Sequence, residues 1–309
     1  MPPQTRYVLA KHEAKRSGAN KKHPMARVQE IAIQIGSLKE LSGVIAAIRV
    51  MATAQMQQGE RALDAVRNYT EIIRRAFAET AALVPEEREA TAIQLPSRPG
   101  LVVFCSEHGF CGAFNEPLIR AAAAASQQEP NLRLLFVGSR GASRATEHDV
   151  RPYLTLTMAT HIGGVAAAAR RVAAELYRMF IAQTITSAEM LYMRETTANT
   201  TSLERLTLLP FETPPLAAHQ TTAPPLVNMP PRRLRDELAV EYMFAMLEGA
   251  AMESFTSENA ARFRTMQAAQ ENIEHKSAEL NRLARRLRQE AVTAEILELI
   301  GGAEALKQQ

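Results

Sequence analysis

The stretch CSEHGFCGAFNEPLI, positions 105–119, gathers two cysteines, a histidine and several turn-forming residues between an apolar run and a helix-like segment. Three chemistries could use such a set. A cysteine nucleophile needs a base and a group to orient that base. His108 stands near Cys105 and Cys111 in sequence, but no catalytic-cysteine signature surrounds them. A strand-to-helix loop can hold phosphate on backbone N–H groups. Gly109 and Gly112, however, form neither G-x-G-x-x-G nor a loop followed by G-K-[ST]. Two cysteines and one histidine are one ligand short of a structural zinc site, and no second cluster supplies it. The reading that remains is a tight turn leading from a buried strand into a helix. The loop GSRGASRATEHD, 138–149, reads as the next strand-to-helix turn. No catalytic constellation, metal set or cofactor motif is visible elsewhere in the chain.

What must position that turn is an α/β segment. GLVVFCS (100–106) and LRLLFVG (132–138) are short apolar runs bounded by Pro, Gly and Asn, and the spacing predicts buried strands. EPLIRAAAAASQQ between them predicts a crossover helix, which completes a strand–helix–strand unit. A helix near 163–183 and strands near 186–194 and 204–211 extend this into an α/β domain over 96–211. The Pro- and Thr-rich segment 212–231 reads as an extended linker.

On either side the texture changes. No proline occurs between Arg27 and Ala82, and Ile31, Leu38, Ile45, Ala52, Val66 and Ile73 recur at heptad spacing. Leu41, Ile48, Ala62 and Tyr69 fill the intermediate positions, with Gln55 and Gly59 as interruptions. This predicts a coiled-coil helix over 25–85, about 80 Å long. A second apolar stripe, Ile273, Leu280, Leu283, Leu287, Ala294 and Leu297, predicts a helix over 232–306, stopped by the glycine pair of GGAEALKQQ. Each stripe needs a partner, and the two helices are each other's nearest candidate. The expected fold class is α/β with long helical extensions: an antiparallel coiled coil of the N- and C-terminal helices with an inserted Rossmann-like domain. The cluster RLARRLRQE, 282–290, is either a solvated helix face or a docking patch for an acidic partner, and spacing does not choose between them.

Composition narrows the setting. The chain has 309 residues, with 36 Lys+Arg against 33 Asp+Glu and aromatics at 5%. Such near-balance leaves no nucleic-acid footprint. Two cysteines argue for a reducing compartment and free thiols. No apolar run approaches the roughly 18 residues that cross a bilayer, so no direct membrane insertion is expected. Residues 1–24 are basic, with Glu13 the only acid. They read as a disordered extension, or as an upstream start ahead of a true start at Met25, in preference to a transit peptide.

Three separated segments resemble the gamma-subunit family of F-type ATP synthases. MARVQEIAIQIGSLKELSGVIAAIRVMATAQMQQGERAL resembles that family's N-terminal helix, with AIRVMATAQM at its Ala-Met-x-Met-Val-Ala-Ala stretch. CSEHGFCGAFN resembles the signature Ser-Asp-x-Gly-Leu-Cys-Gly-Gly-x-Asn, matched at Ser106, Gly109, Cys111, Gly112 and Asn115. SENAARFRTMQAAQEN and RLRQEAVTAEILELIGGAEAL resemble its C-terminal helix. The likeness runs over about residues 25–306.

The resemblance implies a non-catalytic rotor shaft that turns inside a hexamer of alpha and beta subunits and couples ion flow to ATP synthesis or hydrolysis on other chains. It implies a foot beside epsilon and the membrane ring of c subunits, at the cytoplasmic face of a bacterial inner membrane. It assigns rotor–stator coupling to Arg262, to Arg288 and Gln289 facing an acidic loop of beta, and to Thr293 and Glu295, and it places the 299–306 tip in an apolar collar. The alternative is a freestanding coiled-coil adaptor. Gly43, Ala46 and Ile48 replace two lysines and a methionine of the family, and LVNMPPRR replaces its aromatic-Glu-Pro turn. These departures fit a variant, alternative F-type ATPase and leave the contact to the c ring open.

Overall fold

The computed structural model describes residues 24–83, 97–196, 200–210 and 226–307. Most of the expected basic extension and of the Pro-rich linker lies outside these residues. The chain divides into two compact units, one of Met1–Ile48 with Met266–Gln309 and one of Arg49–Thr265.

Two helices account for much of the chain: α1, Pro24–Leu83, and α5, Pro231–Lys307. Within the first unit Val28 and Ile31 of α1 pack on Ala284 and Leu287 of α5, an antiparallel pairing. A Ser42–Gln270 hydrogen bond continues it. The first heptad set is as expected: Ile31, Ile45 and Ala52 are buried, and Leu38, Val66 and Ile73 are half-buried. Of the second set, Ile48, Ala62 and Tyr69 are half-buried. Leu41 is 49% exposed, whereas Leu63 and Phe77 are buried. Gly59 does not interrupt the seam but sits in it, buried where Thr256 approaches. On α5, Leu283 and Leu297 face outward at 38% and 64% exposure, and the inward stripe runs through Leu280, Ala284, Leu287 and Ala291. Gly301 and Gly302 do not stop α5. Each glycine costs about 1 kcal/mol in a helix, and Ala303, Glu304, Ala305 and Leu306 are good helix formers that carry it on.

One stretch within Ala26–Thr80 has a mean hydropathy of 1.5, long and apolar enough by length and composition to cross a membrane, and only 11% of it is buried. This corrects the expectation drawn from uninterrupted runs. The apolar residues are shared between the seam and an outer face of Ile33, Val44, Val50 and Met51, and both count in a sliding window.

The second unit holds a five-stranded sheet, order β3-β2-β1-β4-β5. Its strands are β1 (Pro99–Phe104), β2 (Arg133–Val137), β3 (Leu154–Leu156), β4 (Ser187–Glu195) and β5 (Thr201–Leu209). The first four are parallel and β5 runs antiparallel to β4. Alternation along β1 splits its side chains between two cores. Leu101, Val103 and Cys105 join a cluster with Leu118, Ile119 and Ala145, contributed by α2 (Asn115–Gln128) and α3 (Ser139–Glu147). Val102 and Phe104 join a second cluster on the opposite face, with Val172 and Leu176 of α4 (Val165–Ile181), Leu63 of α1, and Leu247 and Phe255 of α5. The long helices therefore form part of the layer that covers one face of the sheet.

Helix α3 and strand β3 were not expected. The segment read as a turn is mostly helix, and β3 is too short to leave an alternation signal.

Candidate functional site

The turn 105–115 begins where β1 ends. The Cys105 N–H donates to the Val137 carbonyl at 2.8 Å and the Gly141 N–H to the Ser106 carbonyl at 3.1 Å, tying the turn to β2 and α3. Both contacts demand glycine. A Cβ on Gly141 would lie 2.0 Å from the Cys105 Cβ, and one on Gly138, whose φ is 122°, would lie 2.4 Å from the Cys105 carbonyl oxygen. Asn115 closes the turn, accepting from the Ser106 N–H at 3.0 Å and donating to the Ser106 hydroxyl at 2.7 Å. Phe110 and Gly112 take φ of 63° and 59°. A side chain on Gly112 would meet the Thr265 hydroxyl at 2.7 Å, so this position too requires glycine.

Glu107 caps α3. Its carboxylate accepts from the Ser139 hydroxyl at 2.7 Å, the Ser139 N–H at 3.0 Å and the Met158 N–H at 2.8 Å. Burial pushes this carboxyl up, but the three hydrogen bonds outweigh it and the net shift is downward.

Helix α5 crosses the carboxyl ends of β1 and β4. Ser254 donates to the Phe104 carbonyl at 3.0 Å. Glu253 takes Arg67 of α1 at 2.7 Å and Arg194 of β4 at 3.8 Å, and Arg264 reaches Glu195 at 3.0 Å. About two turns beyond Ser254 on α5, Arg262 folds back onto the 105–112 turn. Its Nε donates to the Gly109 carbonyl at 3.2 Å, Nη2 to the His108 carbonyl at 3.5 Å and Nη1 to Asn259 Oδ1 at 2.9 Å. The same Nη2 pairs with Glu258. Burial is the largest influence on Glu258 and lifts its carboxyl up to about 7, against the pull of the Arg262 charge and hydrogen bond, with Glu107 adding to the rise.

Burial works against either thiol acting as a nucleophile. Cys105 and Cys111 are free and buried. Burial raises both, and the Glu258 charge adds to the rise, so the thiolate that does the chemistry is disfavoured. Among the described residues no group of His, Cys, Asp and Glu is arranged to hold a metal ion.

All five signature residues, Ser106, Gly109, Cys111, Gly112 and Asn115, thus meet in one place together with Arg262. Arg288, Gln289, Thr293 and Glu295 do not join them. They lie exposed on α5 in the other unit, where the Thr293 hydroxyl donates to the Gln289 carbonyl at 2.8 Å. The Arg288 side chain is exposed and makes no hydrogen bond or ion pair with another described residue. Sequence reasoning missed Glu258 and Asn259, Arg262's nearest partners. The i,i+4 spacing of Glu258 and Arg262 was the available signal.

The sequence profile of the ATP synthase family matches residues 27–306. An ATP synthase gamma chain of Paramagnetospirillum magneticum is 26% identical over 297 residues, covering 91% of this chain and 100% of that protein. One of Symbiobacterium thermophilum is 29% identical over 208 residues, covering 67% of this chain and 72% of that one. Among solved structures, the rotor of the Euglena gracilis mitochondrial ATP synthase superposes with a TM-score of 0.63 at 16% identity, covering 86% of this chain and 99% of that one. The central stalk of the Tetrahymena thermophila enzyme gives 0.53 at 18% identity, covering 73% and 99%. At these identities the structural likeness bears on fold.

Proposed function

The chain belongs to the ATP synthase family, and from that premise we propose that it is the gamma-type central shaft of a rotary F-type complex. The observation that carries this reading is a family match over nearly the whole chain, on an architecture of two long antiparallel helices and an α/β domain. In this role the helices turn within a ring of alpha and beta subunits while the α/β domain stands beside epsilon and the c ring. Ion flow in the membrane sector then drives ATP synthesis, or hydrolysis drives ion transport, through states of differing nucleotide affinity.

The exposed side chains favour a protein sleeve over a bilayer. Val292, Ile296, Leu297, Leu299 and Ile300 are all more than half exposed near the end of α5, as are Ile33, Val44, Val50 and Met51 on α1. Patches of this kind mark interaction surfaces, and their place on a shaft fits an apolar collar made by other subunits. Arg288 and Gln289, both exposed, fit an acidic loop of beta. Catalysis belongs to the other chains, with this one a peripheral part of the complex at the cytoplasmic face of a bacterial membrane.

The test is reconstitution. Alpha and beta from the same source should assemble with this chain, and a bead on the α/β domain should rotate when ATP is added. Assembly without rotation would point instead to a static coiled-coil adaptor, and failure to assemble would remove the shaft reading. ATP hydrolysis by the isolated chain would also overturn it.

A further inference from the structure

Arg262 looks inward. Its side chain is 12% exposed, and its partners are Glu258 and Asn259 on its own helix and the carbonyls of His108 and Gly109 on the turn after β1. Four of its five N–H groups are engaged within the chain. Glu258 and Asn259 are 4% and 1% exposed, so the acid and the amide that hold the guanidinium are shut off from solvent. A charge pair this deep is costly to bury, and its retention calls for a role that apolar packing cannot fill.

Apolar contact is non-directional and resists sliding or rolling only through shape. Hydrogen bonds fix both distance and angle, and arginine's planar fork fixes several at once. Those that join α5 to the sheet and turn are spread over about three turns of the helix: Ser254 to Phe104, Arg262 to His108 and Gly109, and Arg264 to Glu195. The close seat of Gly112 against Thr265 keeps the backbone of the turn in register with the helix. These ties resist rotation of α5 about its own axis relative to the domain that grips it, which is the motion a torque would produce.

We infer that Arg262, held by Glu258 and Asn259, is a positioning residue that locks α5 to the α/β domain so that torque passes between them, and that it does not itself touch the surrounding subunits. This rests on the shaft reading. It places the coupling role of Arg262 inside the rotor, whereas Arg288 and Gln289 face outward.

The experiment uses the whole complex in inverted membrane vesicles, with ATP hydrolysis and ATP-driven ion uptake measured on one preparation. Protons are followed first, and sodium if the wild type moves no protons. The variants are Arg262→Ala, Arg262→Lys and Glu258→Gln. A slipping joint lowers ion uptake more than hydrolysis, so the ratio of uptake to hydrolysis should fall between about twofold and about thirtyfold in Arg262→Ala. Arg262→Lys keeps the charge beside Glu258 and should recover part of the ratio; Glu258→Gln, which keeps the shape and removes the charge, should fall between. A loss of stability alone lowers the amount of complex but leaves this ratio unmoved. Wild-type ratios in all three variants would overturn the inference. So would a parallel fall of hydrolysis and uptake at constant ratio when both are expressed per assembled complex, because that is the mark of a direct contact with the catalytic ring. A wild-type chain that supports no ATP-driven uptake would instead overturn the shaft reading itself.

Discussion

Gly59 of α1 and Thr256 of α5 leave no room between them for a methyl group: a Cβ on Gly59 would fall 2.3 Å from the Thr256 hydroxyl oxygen and 3.2 Å from its Cβ. Gly→Ala normally stabilises a helix by about 1 kcal/mol, but overpacking costs about 1–3 kcal/mol. Gly59→Ala should therefore lower the stability of the isolated chain by about 1 kcal/mol, measured as a fall in the urea midpoint, and Thr256→Ala in the same chain should restore it. Gly43, with nothing within 4 Å of its missing Cβ, is the contrast. Gly43→Ala should raise the midpoint.

Glu258 should give the chain an unusual pH dependence. Its carboxyl titrates near 7 in the fold, lifted chiefly by burial, against an ordinary value of 4.5. Between those two values the folded chain holds a proton that the unfolded chain has released. By linkage the stability from this group is fully present below pH 4.5 and is lost as pH rises through 7, with a limiting slope of about 1.4 kcal/mol per pH unit. Urea midpoints from pH 4.5 to 8 should show Glu258→Gln with a shallower decline than the wild type. Parallel profiles would mean that Arg262 holds the carboxylate ionised throughout.

The buried thiols should be silent. Cys105 is 1% and Cys111 4% exposed, and burial disfavours the thiolate of each. A thiol-reactive dye should label neither in the native chain and both in urea. Cys111→Ser together with Cys105→Ser should leave ATP-driven rotation of the complex intact while costing the isolated chain about 1–3 kcal/mol, because the new hydroxyl at 105 enters an apolar core.

Arg288 should matter only in company. Its exposed position beside the inward Leu287 predicts that Arg288→Ala leaves the melting of the isolated chain unchanged. In the assembled complex, loss of a shielded charge-assisted bond of about 1.5–3 kcal/mol should lower ATPase turnover about tenfold or more. A variant that keeps full turnover would return Arg288 to an ordinary solvated face.

The long helices and most of the sheet were legible because their signals are local. Heptad recurrence and apolar strands bounded by turn residues survive without any tertiary information. The misses have tertiary causes. Helix α3 begins Ser139-Arg140-Gly141, a poor helical start, yet Gly141 is required because Cys105 stands where its Cβ would be. Leu63, outside the expected stripe, is buried because it enters the core against the sheet. At the site, the stretch read as a strand-to-helix turn does run as a turn from β1 into α2. The carbonyls that Arg262 grips stand 153 and 154 residues away, a distance that no spacing rule spans.

The crossing of α5 over the sheet has one more consequence. Open α/β sheets take their ligands in the crevice beyond the carboxyl ends of the strands, where the strand order reverses. Here that point lies between β1 and β4, and Ser254, Glu253 and Arg264 already occupy it through their bonds to Phe104, Arg194 and Glu195. The domain keeps the shape of a small-molecule receptor, but its guest is a segment of its own chain, and that permanent occupancy makes it a handle.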